Sequence, residues 1–258
     1  MTEQTLTKEM QEHTYAIMNR VEDSHWWFVG RRAILESFLE KIIQNSKEQS
    51  KIQNLNPKIL DVGCGTGANL EMLANFGDAE GVDVSDEALE FCRKKGLDVH
   101  KSLAEKLLFE DENFDVVTAL DVVEHLDDDV AGLKEMYRVL KKGGKTLIFV
   151  PAFMWLWGVQ DDISNHRIRY TKKQIVERLE KAGFQIERAT YANITFFAPI
   201  LAGRTLMKII GVKPESENNI NVSALNGVLG KIFSAEKYWL NKFGFPFGVS
   251  IVIVAKKK

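Results

Sequence analysis

Lys58-Ile59-Leu60-Asp61-Val62-Gly63-Cys64-Gly65-Thr66-Gly67 decides how the rest of the chain is read. Ile59 to Val62 is a short apolar run of buried-strand character, and Ala68-Asn69-Leu70-Glu71-Met72-Leu73 continues with helical character beyond the glycines. Glycine takes positive φ without steric penalty and lets backbone approach a ligand closely. A strand, a glycine turn and a helix N-terminus together present free N–H groups and a positive dipole end to negative or polar groups. The spacing G-x-G-x-G matches neither the G-x-G-x-x-G of dinucleotide folds nor a phosphate loop, because no Lys-Ser/Thr pair follows. On these residues alone, a tight strand-to-helix turn with no ligand is an equal reading.

The downstream pattern breaks that tie. Ala79 to Ser85 reads as a second strand ending in Asp83, followed by a helix over Asp86–Lys95 with Ser85 as its N-cap. Asp83 stands about twenty residues beyond Gly63, where α/β nucleotide sites place an acid on ribose hydroxyls. Leu97–His100 and Asn113–Leu120 read as the third and fourth strands, the latter running into Asp121-Val122-Val123-Glu124-His125-Leu126. Asp127-Asp128-Asp129 opens the next helix, where acids favour the dipole, so no metal is assigned to the run or expected elsewhere. Lys141-Lys142-Gly143-Gly144 is expected to close that helix with a left-handed glycine, and Lys145–Val150 to form the fifth strand up to Pro151. Such alternation predicts a parallel sheet covered by helices on both faces, with ligands at the carboxyl ends of its strands.

Leu60-Asp61-Val62-Gly63-Cys64-Gly65-Thr66-Gly67 resembles the first motif of class I S-adenosylmethionine (SAM) methyltransferases. The resemblance implies an α/β fold: a doubly wound, seven-stranded, mostly parallel Rossmann-like sheet with helical cap elements. It implies SAM as cofactor and S-adenosylhomocysteine as product. The cofactor contacts it implies are Asp61, Gly63, Cys64, Gly65 and Gly67 at the turn, Asp83 and Val84 after the second strand, and Leu120 and Asp121 after the fourth. Many members carry an Asp-Ala pair after the third strand; here Leu103 stands in the aspartate's place, so the backbone of Ala104, next to Glu105, is expected to take the adenine.

The acceptor side shows its own pattern. Pro151 to Tyr170 mixes aromatics with Asp, His and Arg without periodicity, as a site loop does. Together with His25-Trp26-Trp27-Phe28, the segment His166-Arg167-Ile168-Arg169-Tyr170-Thr171 resembles a bacterial and archaeal methyltransferase subgroup, the type 11/12-like one. An oxygen acceptor would need a base near neutral pKa, and His166, ahead of His125, is the candidate. Two structural readings stand beside these: His166 tying the loop to Asp161, and His125 shaping the cofactor loop. Trp27, Arg31, Trp157, Arg167, Arg169 and Tyr170 are the expected acceptor contacts. Arg167 and Arg169 either bind an anionic group or pair with nearby acids. Three adjacent aromatics cannot share one helical face, so the 26–28 segment either pins an N-terminal helix to the core or lids the cofactor.

Four regions are expected: a helical cap and linker over 1–56, a SAM-binding core over 57–192, a helical insertion over 193–247, and a last strand with a basic tail over 248–258. Polar residues 44–57 would form the linker. Thr171 should cap a helix through Lys181 ended by Gly183, with Phe184–Tyr191 and Gly248–Ala255 as strands six and seven. The insertion carries Phe196, Phe197, Ile200, Leu201, Leu206, Ile209 and Ile210, then a polar break over Lys213–Asn221 and a second helix near Val222–Phe243. It shapes an acceptor pocket or lies on a membrane surface as an amphipathic element. Lys256-Lys257-Lys258 reads as a solvated end or an aid to anionic lipid binding.

A formal charge of −2 offers no basic footprint for nucleic acid. Cys64 and Cys92, the only cysteines, make no disulfide framework, and Met1-Thr2-Glu3-Gln4 lacks an apolar leader, so a cytoplasmic protein is expected. No apolar run reaches the roughly eighteen residues of a spanning helix. The expected activity is methyl transfer from SAM to a small-molecule acceptor, sugar- or lipid-linked among the options, through an oxygen nucleophile. The rivals are transfer from a decarboxylated or non-methyl donor and a non-enzymatic SAM-binding or membrane-surface scaffold.

Overall fold

The computed structural model describes residues 12–50, 56–211 and 223–258. The expectations for Met1–Gln4, for the polar break at Lys213–Asn221 and for a helix beginning at Val222 lie outside the described residues. Two helices, α1 (Glu12–Val21) and α2 (Trp26–Ser50), precede the sheet. Strand and helix then alternate through β1 (Lys58–Val62), α3 (Ala68–Ala74), β2 (Asp78–Asp83), α4 (Asp86–Lys94) and β3 (Asp98–Lys101). Next come β4 (Phe114–Leu120), α5 (Asp129–Val139) and β5 (Leu140–Pro151). The short α6 (Val159–Ile163) leads to α7 (Lys172–Lys181) and β6 (Gln185–Ala192). The insertion forms α8 (Phe197–Ile210), α9 (Ser223–Ser234) and α10 (Glu236–Leu240), and β7 (Ser250–Lys256) ends the fold.

The seven strands lie in the order β3-β2-β1-β4-β5-β7-β6. All pairs are parallel except those of β7, which runs antiparallel between β5 and β6. The order reverses between β1 and β4, so the chain leaves those strands toward opposite faces and opens a crevice at their carboxyl ends. Alternate residues of each central strand serve opposite cores. Leu60, Val117, Ile148 and Ile253 pack beneath Leu133 and Met136 of α5 and Ile175 and Leu179 of α7. Ile59, Val116, Leu147, Phe149 and Val252 pack beneath Ile34, Leu35, Phe38, Leu39 and Ile42 of α2. That i, i+4 stripe on α2 explains why a helix upstream of the sheet is part of the core.

Ser85 caps α4 through Ala88 N, and Thr171 forms a capping box with Gln174, both as the sequence indicates. Three expectations change. Residues 44–50 are helical, extending α2 instead of forming a linker. Lys141–Gly144 does not close α5: the helix ends at Val139, Leu140 turns extended and pairs with Phe114, and pairing resumes only at Lys145 opposite Val116. The glycines sit in that bulge, where Gly143 N donates to Lys257 O and Lys257 N donates to Gly144 O. Nor is the tail solvated throughout: β7 reaches Lys256, and the nearly buried Lys257 donates from Nζ to Arg138 O over the Tyr137 ring.

Candidate active site

A cavity of about 500 Å³ opens at the carboxyl ends of the strands, within the size range of small-molecule sites. The glycine turn forms one wall. Gly63 N and Cys64 N both donate to Val82 O, which ties the turn to β2. Gly63 has φ 72°, and a Cβ there would meet Val122 Cγ2 at 2.3 Å. Gly65 has φ 53°, and a Cβ there would meet nothing within 4 Å: its backbone faces open space. Asp83 ends β2 with Oδ2 accepting from Gly65 N at 2.9 Å and Oδ1 from Ser85 N at 3.0 Å. Burial raises its pKa against those backbone donors. An ionised carboxylate has about four acceptor positions, so these bonds do not exhaust it. An open glycine backbone and a carboxylate with spare acceptor capacity, on one cavity, fit an adenosyl ligand with a ribose diol.

Of the expected cofactor contacts, Gly63, Cys64, Gly65, Asp83, Val84, Ala104, Glu105, Leu120 and Asp121 line the cavity. Asp61 and Gly67 are not among its lining residues. Asp61 is fully buried, accepting from Thr118 Oγ1 at 2.6 Å, and burial pushes its carboxyl up to about 7. Gly67 N closes the turn onto Cys64 O, and Leu97 and Cys92 crowd its Cα.

The N-terminal helices supply a second wall. Arg31 of α2 reaches Asp121 at 2.7 Å and Asn69 at 3.2 Å. Asp121 holds φ 63° at the end of β4, a strained position for a non-glycine. Glu22, in the α1–α2 turn, accepts from Thr66 Oγ1 at 2.7 Å and lies 3.4 Å from Lys95 Nζ, so the helices are fastened to the glycine turn. The aromatic triplet divides its work: Trp26 packs on Phe196 and Phe233 of the insertion, while Trp27 meets the Arg31 guanidinium at the cavity. Pinning and lining are both present.

His125, His166, Asp161 and Arg169 line the same cavity. Asp161 Oδ1 lies 2.7 Å from His166 Nδ1, and both its oxygens accept from Arg169 Nη1 at 2.8 and 3.0 Å. Burial alone would raise Asp161, but the His166 hydrogen bond with the charges of Arg169 and Arg204 holds it well below the usual carboxylate range. His166 therefore does tie the loop to Asp161. Burial, with the charges of His166 and Arg167, pushes His125 down to about 3, so it is a neutral imidazole at ordinary pH. Arg169 is 3% exposed and engaged with Asp161. Three expected acceptor contacts lie off this cavity. Trp157 lines a neighbouring recess of about 230 Å³, Arg167 pairs with Asp127 at 2.7 Å, and the fully buried Tyr170 donates to Asp129 Oδ2 at 2.8 Å.

Sequence reasoning missed Glu22, Thr66, Asn69, Glu124 and Arg204. Glu22, in the α1–α2 turn, and Arg204, on α8, come from segments remote in sequence, with no motif to mark them. Glu124 carried a signal in its place beside His125. Arg204 lies on α8, whose Ile200, Gly203, Arg204 and Met207 form one helical stripe along the cavity.

The family described as "Methyltransferase domain" matches residues 60–148. The chain is 34% identical over 146 residues to a demethylmenaquinone methyltransferase of Chlorobaculum parvum, covering 54% of this chain and 55% of that protein. It is 38% identical over 95 residues to a ubiquinone biosynthesis O-methyltransferase of Methylococcus capsulatus, covering 34% and 40%. The chain thus spans about half the length of the curated relatives it matches. A solved SAM-dependent methyltransferase from Thermotoga maritima, described as a possible histamine N-methyltransferase, shares the fold at a TM-score of 0.58 and 23% identity, over 95% of this chain and all of that one. The sheet order, the glycine turn with Asp83 and these matches agree: the chain carries a methyltransferase domain of the class I, S-adenosylmethionine-dependent type.

Proposed function

We propose that the protein transfers a methyl group from SAM to an oxygen of a small, largely apolar acceptor. One observation carries this reading: a single cavity is lined both by the glycine turn with Asp83 and by the Asp161-held His166. Bound SAM supplies a methyl group on a sulfonium, open to in-line displacement, for which alignment is the main requirement. Gly65 backbone and Asp83 would hold the adenosyl portion, with Val84, Ala104 and Glu105 available to the base and Leu120 and Asp121 to the methionine end. Asp161 keeps the proton of His166 on Nδ1, which leaves the Nε2 lone pair to take the proton of an acceptor hydroxyl. His125, a neutral imidazole, meets His166 edge to face with ring centroids 4.7 Å apart. Trp27, Phe28, Met18, Ile200 and Met207 give the cavity apolar walls suited to an aromatic or prenylated body. Relatives named for demethylmenaquinone and ubiquinone biosynthesis support a quinol-like acceptor.

The acceptor of this reading is membrane-soluble, and α8 supports it. No residue of α8 is buried; one stripe lines the cavity while Leu206, Ile209 and Ile210 face outward. Among the described residues of the insertion helices the outward charges are Lys208, Lys231 and Lys237, since Arg204 faces the cavity 3.5 Å from Asp161 and Glu236 is buried under Asn193 N and Thr195 N. An apolar helix edged by cations suits an anionic bilayer surface.

Calorimetric titration with SAM, S-adenosylhomocysteine and NAD tests the cofactor: the adenosyl ligands bind and NAD does not. Asp83→Ala is expected to weaken SAM binding roughly ten- to hundred-fold, the scale of lost hydrogen bonds to a charged group. Unchanged affinity would remove Asp83 from the site. His166→Ala should lower kcat on a hydroquinone acceptor while sparing SAM affinity; full turnover would leave His166 a loop tether.

A further inference from the structure

Nε2 of His166 is a proton acceptor only while nothing else occupies its lone pair, and its surroundings offer something else. Glu124 Oε1 lies 3.9 Å from that nitrogen. Glu124 is fully buried, and neither of its carboxylate oxygens has a hydrogen-bond partner. Arg31 is engaged with Asp121 and Arg169 with Asp161, so neither guanidinium bonds it. Buried carboxylates with both oxygens unsatisfied are rare and costly in folded proteins. One donor atom each from Glu124, His125 and His166 lies within 4.8 Å of the others.

The groups behind these donors are arranged as the outer shell of a metal centre is. Asp161 holds His166 Nδ1 at 2.7 Å, and Arg169 fixes Asp161 from the other side. Backbone carbonyls of Ser164 and Asp121 orient the His125 ring. A carboxylate or carbonyl on the far nitrogen of an imidazole sets the tautomer and raises the basicity of the ligating nitrogen. Two imidazoles that line the cavity and one carboxylate buried behind them are a donor set for manganese, iron, cobalt or zinc more than for magnesium or calcium.

We propose that Glu124, His125 and His166 form a site for one divalent transition-metal ion, on which the hydroxyl of the acceptor is held and acidified. The proposal rests on the methyl-transfer reading of the cavity and names how its oxygen is activated. Acceptor binding replaces a water on the ion, and the hydroxyl proton leaves to solvent as the oxygen becomes the ligand. Without the ion, Nε2 keeps its lone pair and serves as the base. The site closes the account of Glu124, which a histidine base alone leaves with no partner.

Titration of the chelator-stripped, dialysed full chain with Co²⁺, followed by visible absorption and calorimetry, tests this. One equivalent is expected to bind with the absorption bands of a nitrogen–oxygen site. Glu124→Gln and His166→Ala should each lose the bands, and Asp161→Asn should weaken binding roughly ten- to hundred-fold. His100→Ala should bind as wild type; it alters a half-exposed Glu80–Asp98–His100 group at the sheet edge, the other candidate among the described residues. No bands in the wild type, unchanged binding in both Glu124→Gln and His166→Ala, or binding lost only in His100→Ala overturns the proposal. SAM titration of the same samples separates the two readings. A wild type that binds SAM but no Co²⁺ overturns the metal site alone, and one that binds Co²⁺ but not SAM overturns the methyl-transfer reading. Retained SAM affinity in the variants shows that they are folded.

Discussion

Asp61 shows what a single residue in a recognised motif does when its motif reading and its burial disagree. Its place before the glycines made it an expected cofactor contact, yet it stands inside β1 with Thr118 as partner and Oδ2 unsatisfied. The sequence could not reveal this, because alternation in a strand buried on both faces carries no mark of which residue meets the ligand. Burial first, against the Thr118 hydrogen bond and the Arg31 charge, moves its pKa from 3.8 to about 7. Below about pH 4 the carboxyl is protonated in both folded and unfolded chains, and it costs nothing. As pH rises toward 7 the unfolded chain releases the proton that the folded one keeps, so stability falls through that window and levels above it. Asp61→Asn abolishes the titration while its amide oxygen can still accept from Thr118. Chemical denaturation at pH 5 and pH 8 should show the wild type losing roughly 2 to 3 kcal/mol more than Asp61→Asn across that interval. Equal losses would mean that Asp61 is ionised in the folded state.

At the scale of elements, the strands and most helix starts were legible, because apolar runs, Ser85, Thr171 and the glycine turn each have a local physical cause. The ends were less so. Lys142-Gly143-Gly144 looks like a helix stop, but Leu140 already pairs with Phe114, and a tertiary ladder outweighs a capping preference. The polar residues after Gln44 continue a helix whose buried stripe lies earlier in it, at Ile34 to Ile43. The glycine turn permits a sharper statement, since its first two glycines have different reasons to be glycine. Gly63→Ala combines a positive φ with a methyl 2.3 Å from Val122 Cγ2, whereas Gly65→Ala adds its methyl to open space. The left-handed conformation alone costs about 1 to 2 kcal/mol for a residue with a Cβ. Thermal unfolding should therefore place Gly63→Ala clearly below Gly65→Ala, with Val122→Ala partly restoring the former. SAM titration should find Gly65→Ala weakened well beyond its loss of stability, since its methyl occupies ligand space. Equal stability for the two variants, or unimpaired binding to Gly65→Ala, would remove this division of roles.

Across the whole molecule, the cavity is walled by chain segments that lie far apart in sequence, α1 and α2 before the sheet and α8 after β6, and α9 packs against α2 behind them. Their joining is physical. Gly30 of α2 leaves no room for a Cβ against Phe233 of α9, whose ring would be 2.5 Å away, and Trp26 N donates to Asn226 Oδ1. Such pairings are long-range, so the sequence showed two apolar, aromatic-rich segments without showing that they meet. Within that cap, α8 alone keeps an apolar outer face together with a cavity-lining one. A helix apolar on both sides is normally enclosed; if the bilayer supplies the missing enclosure, a membrane-soluble acceptor would pass from lipid to cavity across one helix. Sedimentation with vesicles of anionic phospholipid should then carry the full chain down, and neutral phosphatidylcholine vesicles should do so less. Leu206→Glu with Ile209→Glu alters only residues 57% and 77% exposed, so the fold and SAM affinity should be untouched while vesicle binding falls. In the same variant, turnover of a vesicle-borne quinol should fall and turnover of a short-chain soluble analogue should persist. Equal vesicle binding by variant and wild type would take the membrane away from α8, and equal loss of turnover on both acceptors would make the helix a wall of the site with no role in delivery.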